Sequence, residues 1–290
     1  MIPDGIHPSI SNDAHHADPA VGSSGLRLLQ RSPAHYYAAC RDENRERREP
    51  TPAMALGTAW HCATFEPARF FAEHVQIPRG LDRRTKEGKT LWADLEASGK
   101  TPLPADQWDA ITTMAHMARQ HAVSRVIFDP DLGGQAETSM FWTDPDTGLR
   151  CKIRPDWYIP PCAQFPGGLI VDGKSTGDAG PDAFARSAWD WDMHLQAAWY
   201  CDGFQRVMRT TQAPTFCWLA QEKETPWATA YYAADADLIA YGRRLYRGLL
   251  RTLAECEASG RWPAYSQQVQ TLQLPPWAAK IVQDSASAAA

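Results

Sequence analysis

Asp172-Gly173-Lys174 closes the apolar run Leu169-Ile170-Val171, and Arg154-Pro155-Asp156 precedes it by one apparent hairpin. Alternate side chains of a strand share a face, so Asp172 and Lys174 point the same way. An acid and an amine on one face, with a second acid on the neighbouring strand, can hold a divalent cation beside a polarised water. Metal-assisted phosphodiester hydrolysis needs that set: oxygen ligands, a positioned water and compensation for charge building on the phosphate. Asp156 and Asp172 are the candidate ligands. Lys174 cannot ligate and would act on the water or on the developing charge. Taken alone, the triplet reads equally as a strand-end ion pair.

The elements that must position these residues follow from pattern. Ser23-Ser24 reads as the cap of a helix through Leu26, Leu28 and Leu29, and Ser32-Pro33 opens another with Tyr36 and Tyr37. Helices are expected over about 54–65, 86–97 and 105–122. From about Gly134 the chain changes to strands: 137–143, a turn at Asp144–Gly148, then 149–159 and 169–174. One long helix over 182–207, strands over 215–222 and 227–233 and a helix over 235–257 complete the pattern. Residues 1–20 read as an extended N-terminal segment, 21–283 as a single α/β domain with a helical N-terminal half around a mixed sheet, and 284–290 as a disordered tail.

The 290 residues carry a formal net charge of -5, which argues against coating nucleic acid through global charge. A local basic track remains available. Arg41, Arg45, Arg47 and Arg48 are interleaved with acids and read as a solvated loop, whereas Arg83, Arg84, Lys86 and Lys89 have fewer acids near them and are candidates for phosphate contact. Seven dispersed cysteines form no CxxC pair and fit a reducing cytosol. No secretory signal or membrane span is expected, and the chain is read as cytoplasmic.

Three further motifs add specificity. Gly57-Thr58-Ala59-Trp60-His61-Cys62-Ala63-Thr64-Phe65-Glu66-Pro67 places His61 on a helix. Gln196-Ala197-Ala198-Trp199-Tyr200 puts Gln196 and Tyr200 one turn apart on one face. Glu137-Thr138-Ser139-Met140-Phe141-Trp142 precedes the Arg154-Pro155-Asp156 strand. In this order the motifs resemble the PD-(D/E)xK nuclease superfamily in its RecB-like branch, and the exonuclease VIII (RecE-type) nuclease domain in particular. Arg83–Lys89, His194–Gly203, Trp262-Pro263-Ala264 and Leu274–Ala278 extend the likeness over about residues 20–282.

That resemblance implies a PD-(D/E)xK fold with His61, Asp156 and Asp172 as metal ligands and Lys174 as the catalytic lysine. The Gly173 carbonyl and Glu137 would be further ligands, with Gln196 and Tyr200 supporting the site or touching DNA. It implies magnesium, with manganese able to substitute. It also implies 5′-to-3′ digestion of linear duplex DNA that leaves 3′ overhangs for recombination, a ring-shaped homo-oligomer (a tetramer) and a single-strand annealing recombinase as partner. One departure stands out: glycine occupies position 173, where the resembled motif has an apolar side chain, and it should loosen the strand. Two rival readings are a RecB- or Cas4-like single-strand or flap nuclease and a DNA-binding assembly protein with weakened catalysis. Trp60 and Trp189-Asp190-Trp191 read either as core or as platforms for bases.

Overall fold

The computed structural model describes residues 1–45 and 51–275, together with Ala278. Arg47, Arg48, Pro276-Trp277 and the tail expected from 284 lie outside the described residues. The chain opens with strand β1 (Gly5–His7) and helix α1 (Asn12–Ala17), so the first twenty residues are not extended throughout. Ser11 caps α1, its hydroxyl accepting the Ala14 N–H at 3.2 Å. Next come α2 (Ser23–Arg31) and α3 (Pro33–Cys40). Gly22, rather than either serine, is the N-cap of α2 and offers no side-chain bond, whereas Ser32 caps α3 as its Ser-Pro start implied.

Helix α4 (Pro52–Phe65) starts on Thr51 and Pro52 and stops where Glu66-Pro67 breaks the hydrogen-bond ladder. It is followed by α5 (Pro67–Glu73), β2 (His74–Gln76), α6 (Lys86–Ala97), β3 (Thr101–Leu103), α7 (Ala105–Gln120) and α8 (Ala122–Ile127). The helix expected to reach 122 ends at Gln120. His121 is extended, and its ring caps α8 by accepting the Val123 N–H.

The second half contains β4 (Gln135–Ala136), β5 (Ser139–Thr143), β6 (Arg150–Ile153), β7 (Trp157–Ile159), β8 (Leu169–Thr176), α9 (Pro181–Asp190), α10 (Met193–Met208), β9 (Thr215–Glu222), β10 (Thr229–Ala233) and α11 (Ala236–Ser259). Three expected elements are split. Glu137, at φ 45°, breaks the strand expected over 137–143. The 149–159 strand parts into β6 and β7 around Arg154-Pro155, where proline has no N–H for a ladder. The 182–207 helix breaks at Trp191-Asp192, with Asp192 at φ 50°.

The central sheet has the order β10-β9-β8-β7-β4, with β8 and β9 parallel and the other pairs antiparallel. Helices α9 and α10 provide the crossover that a parallel pair needs. A second antiparallel sheet runs β1-β5-β6, and β2 pairs with β3 in parallel. Alternation along β8 feeds two cores. Leu169 and Val171 pack with Trp60, Phe65 and Met114 of α4 and α7. Ile170 packs with Ala197, Trp199 and Leu250 of α10 and α11. Among the described residues no helix is long and apolar enough to cross a membrane.

The first twenty residues are tied down by buried polar groups. Lys152, 8% exposed, donates to the carbonyls of His15 and Asp18 at 2.6 and 2.7 Å. His15 Nδ1 lies 3.0 Å from Ser139 Oγ. Burial, then the charge of Lys152, pushes the His15 pKa from 6.5 down to about 3. The unfolded chain therefore takes up a proton below pH 6.5 that the folded chain refuses. This contribution to stability is present above pH 6.5 and is lost as pH falls towards 3, at about 1.4 kcal/mol per unit. The His15→Gln variant, compared with the parent by urea unfolding at pH 7 and pH 5, should lose measurably less stability on acidification.

Candidate active site

Strand β8 carries Leu169-Ile170-Val171 into the interior and delivers Asp172 at the sheet's end, 3% exposed. Alternation puts Asp172 and Lys174 on the α10 side. Gln196 Nε2 donates to Asp172 Oδ1 at 2.7 Å, and the Lys174 ammonium pairs with Oδ2. Tyr200, one turn along α10, donates from its hydroxyl to the Arg154 carbonyl at 3.3 Å.

The β7–β8 register pairs Trp157 with Val171, so Asp156 sits at the mouth of the pair beside Gly173. Asp156 Oδ2 accepts the Gly173 N–H at 2.7 Å and stands 3.2 Å from His61 Nδ1. A strand residue turns its N–H and C=O towards the same edge, so the Gly173 carbonyl faces Asp156 as well. The N–H of Glu137 reaches the Asp156 carbonyl at 3.2 Å, and its left-handed backbone turns its carboxylate towards the same point. Ligand atoms of His61, Glu137 and Asp156 lie within 4.8 Å of one another. Two carboxylates and one imidazole so close suit a single divalent cation of oxygen-preferring character.

Burial raises the pKa of all three carboxylates, and their partners then divide them. For Asp156, His61 and Lys174 outweigh burial and hold the pKa below the usual carboxylate range. For Asp172, burial and the Asp156 charge prevail over Lys174, and the pKa is raised. Burial and Asp156 push Glu137 up to about 7 despite Arg154. Burial disfavours charge on His61, but Asp156 more than offsets this and its pKa is raised. A cation placed among these groups would relieve the same repulsion that lifts Glu137 and Asp172.

His61, Glu137, Asp156 and Tyr200 line an open cleft of about 650 Å³, together with Gly57, Thr58 and Arg69. The model of the PDDEXK-like domain of unknown function (DUF3799) matches residues 22–275. The chain belongs to that family. A "Putative exonuclease" from Eubacterium rectale, seen by crystallography, is similar with a TM-score of 0.60 at 14% identity, over 92% of this chain and 96% of that one. At that identity the likeness is one of fold. The crystal structure of SSO0001 aligns with a TM-score of 0.30 at 11% identity, over 68% of this chain and 86% of that one, which carries no argument. No curated protein sequence matches the chain.

This PDDEXK-like domain thus brings together eight of the residues singled out from sequence: His61, Glu137, Asp156, Asp172, Gly173, Lys174, Gln196 and Tyr200. It does not bring in the four basic candidates, none of which lines the cleft. The Arg84 guanidinium is turned onto Asp82 at 2.9 Å, and that of Arg83 lies 3.9 Å from the Trp92 ring centroid, while Lys86 and Lys89 are exposed on the first turns of α6.

Sequence reasoning missed Arg154 as a site residue. It donates to Glu137 at 2.8 Å, Ser139 Oγ at 2.7 Å and the Ile10 carbonyl at 3.0 Å. Its two-residue offset from Lys152 was the available signal, since alternation in the strand expected over 149–159 puts both on one face. Asn12, His15 and His16 also line the cleft, and no spacing rule could have placed them there.

Gly173 has a physical reason. A Cβ there would lie 2.9 Å from Phe65 and 3.1 Å from Trp60, so glycine lets these rings of α4, the helix that carries His61, pack directly on β8. Gly173→Val should destabilise the fold by roughly 1–3 kcal/mol through overpacking. The measurement is the urea midpoint, and an unchanged midpoint would show that α4 yields freely.

Proposed function

We propose that this domain is a magnesium-dependent exodeoxyribonuclease that digests linear double-stranded DNA 5′ to 3′ and leaves 3′ overhangs suited to recombination. The observation that carries the reading is the convergence of His61, Glu137 and Asp156 within 4.8 Å, beside a buried Asp172 and Lys174. The exonuclease name of the Eubacterium rectale protein supports end-directed action. The RecE-like motifs support the polarity, a ring-shaped homotetramer, cytoplasmic location and a single-strand annealing recombinase as partner.

His61, Glu137 and Asp156 would hold the cation, with Asp172 and the Gly173 carbonyl facing it. Magnesium, or manganese in its place, would supply polarisation of the phosphate and acidification of a bound water. The protein's own groups do the rest. Gln196 fixes Asp172 through one oxygen, leaving the other towards Lys174. Lys174 Nζ stands against Asp172 at the cluster's edge, where it orients the attacking water and balances the charge that builds on the phosphate. Arg154 holds Glu137 in place, and Tyr200 braces the Arg154 backbone.

Lys174→Ala should lower turnover roughly 10²–10³-fold, the scale of losing one charge-stabilising group. It should still bind manganese in a calorimetric titration, because lysine is no ligand. Asp172→Asn should fold but not cleave. With linear duplex labelled at each end in turn, and covalently closed circles labelled internally, we expect digestion of the linear form only, with 5′ label released first. Cleavage of closed circles would overturn the end-directed reading, and cleavage by Asp172→Asn at the parental rate would overturn the site.

A further inference from the structure

A second cleft, of about 440 Å³, adjoins the first across the end of β8, and Ser175 lines both. Its charge differs from that of the first. The first cleft mixes Glu66, Glu73, Glu137 and Asp156 with Arg69, Lys152 and Arg154; Arg27, Lys174 and Lys223 line the second, and among the described residues no aspartate or glutamate does so. In a chain of net charge -5 this concentration of cations is local, not a reflection of composition.

The rim of the second cleft is aromatic. Trp191 lines it and is 66% exposed, and Arg27 donates to the Trp191 carbonyl at 3.1 Å, which holds the loop in place. Two residues earlier, Trp189 is 63% exposed. Its ring is backed by His194 at 5.3 Å and Tyr241 at 5.6 Å, both near-parallel, so its remaining surface faces outwards on a rigid support. Both indoles thus present open ring surface to a ligand.

We propose that this second cleft binds a single, unpaired nucleic-acid strand, with backbone phosphates on Arg27 and Lys223 and bases stacked on Trp191 and Trp189. Cations spaced along a groove beside aromatic rings suit a single strand, because only unpaired bases offer a free face for stacking. A duplex would present phosphates but no base faces. Lys174 and Gln196 line the same cleft, so a strand held there runs directly into the candidate active site. The inference rests on the proposed nuclease reading and names the strand form that the site receives.

The test is fluorescence anisotropy in chelator, where nothing is cut. The probes are a fluorescein-labelled 20-nucleotide oligothymidylate and a labelled 20-base-pair blunt duplex. Trp191→Ala should weaken oligothymidylate binding about tenfold, the scale of one lost base stack, and Lys223→Glu should weaken it and flatten the salt dependence. Neither should change duplex binding by more than about twofold. Far-ultraviolet circular dichroism and melting temperature serve as fold controls for these exposed positions. Unchanged oligothymidylate affinity in both variants would overturn the proposal. An equal loss for the duplex would also overturn it, by making the cleft a general phosphate track. A chain that binds oligothymidylate through Trp191 and Lys223 yet hydrolyses nothing with magnesium would support this cleft while sinking the nuclease reading.

Discussion

Two carboxylates, Asp156 and Asp172, stand together at the end of the central sheet, and the rest of the architecture is arranged around the cost of that pairing. Burial and mutual repulsion both disfavour two negative charges there. The surrounding elements each contribute one compensation. Helix α4 brings His61, α10 brings Gln196, β8 itself brings Lys174 and the Gly173 N–H, and Arg154 secures the third acid, Glu137. The compensation is unequal: Asp156 is favoured as the anion, while burial and the Asp156 charge push Asp172 and Glu137 towards protonation.

The compensating groups reach the cluster only because of packing. Helix α4 touches β8 through Trp60 and Phe65, and the space a Cβ would need at Gly173 is already taken by those two rings. The same contact belongs to the core that holds Val171, Leu169 and Leu219, so burial of apolar surface and placement of His61 are one event. On the other face, α10 contributes Ala197 and Ala198 to the second core while Gln196 and Tyr200 face the polar end. Each helix thus divides its surface between stability and chemistry.

The N-terminal twenty residues are joined to this arrangement by Arg154, which spans Glu137, Ser139 and Ile10, and by Lys152, which is buried against the His15 and Asp18 carbonyls. The family match begins at residue 22, so this arm lies outside the part shared with the family model, yet Asn12, His15 and His16 form part of the cleft wall. The two clefts that meet at Ser175 differ in lining, with acids and cations mixed on the His61 side and cations beside an exposed indole on the Trp191 side.

Local chemistry made much of this legible in the sequence. A short apolar run located β8, Glu66-Pro67 marked the end of α4, and the order of the His61, Asp156, Asp172-Gly173-Lys174 and Gln196–Tyr200 motifs suggested a PDDEXK-like fold. Each of those signals spans a few residues, where backbone sterics and side-chain periodicity decide the outcome. Tertiary structure decided what sequence distance conceals. Strand 149–159 divides between two sheets because Pro155 cannot pair, and Glu137 leaves its strand to face Asp156. Glycine at 173, read from sequence as a weakness in the strand, makes room for the rings of a helix about a hundred residues earlier. Arg83 and Arg84, read as phosphate contacts, are engaged by Trp92 and Asp82, while Arg27 and Lys223, nearly two hundred residues apart, share one cleft. Charge in a sequence shows how many cations there are; only packing determines which of them meet.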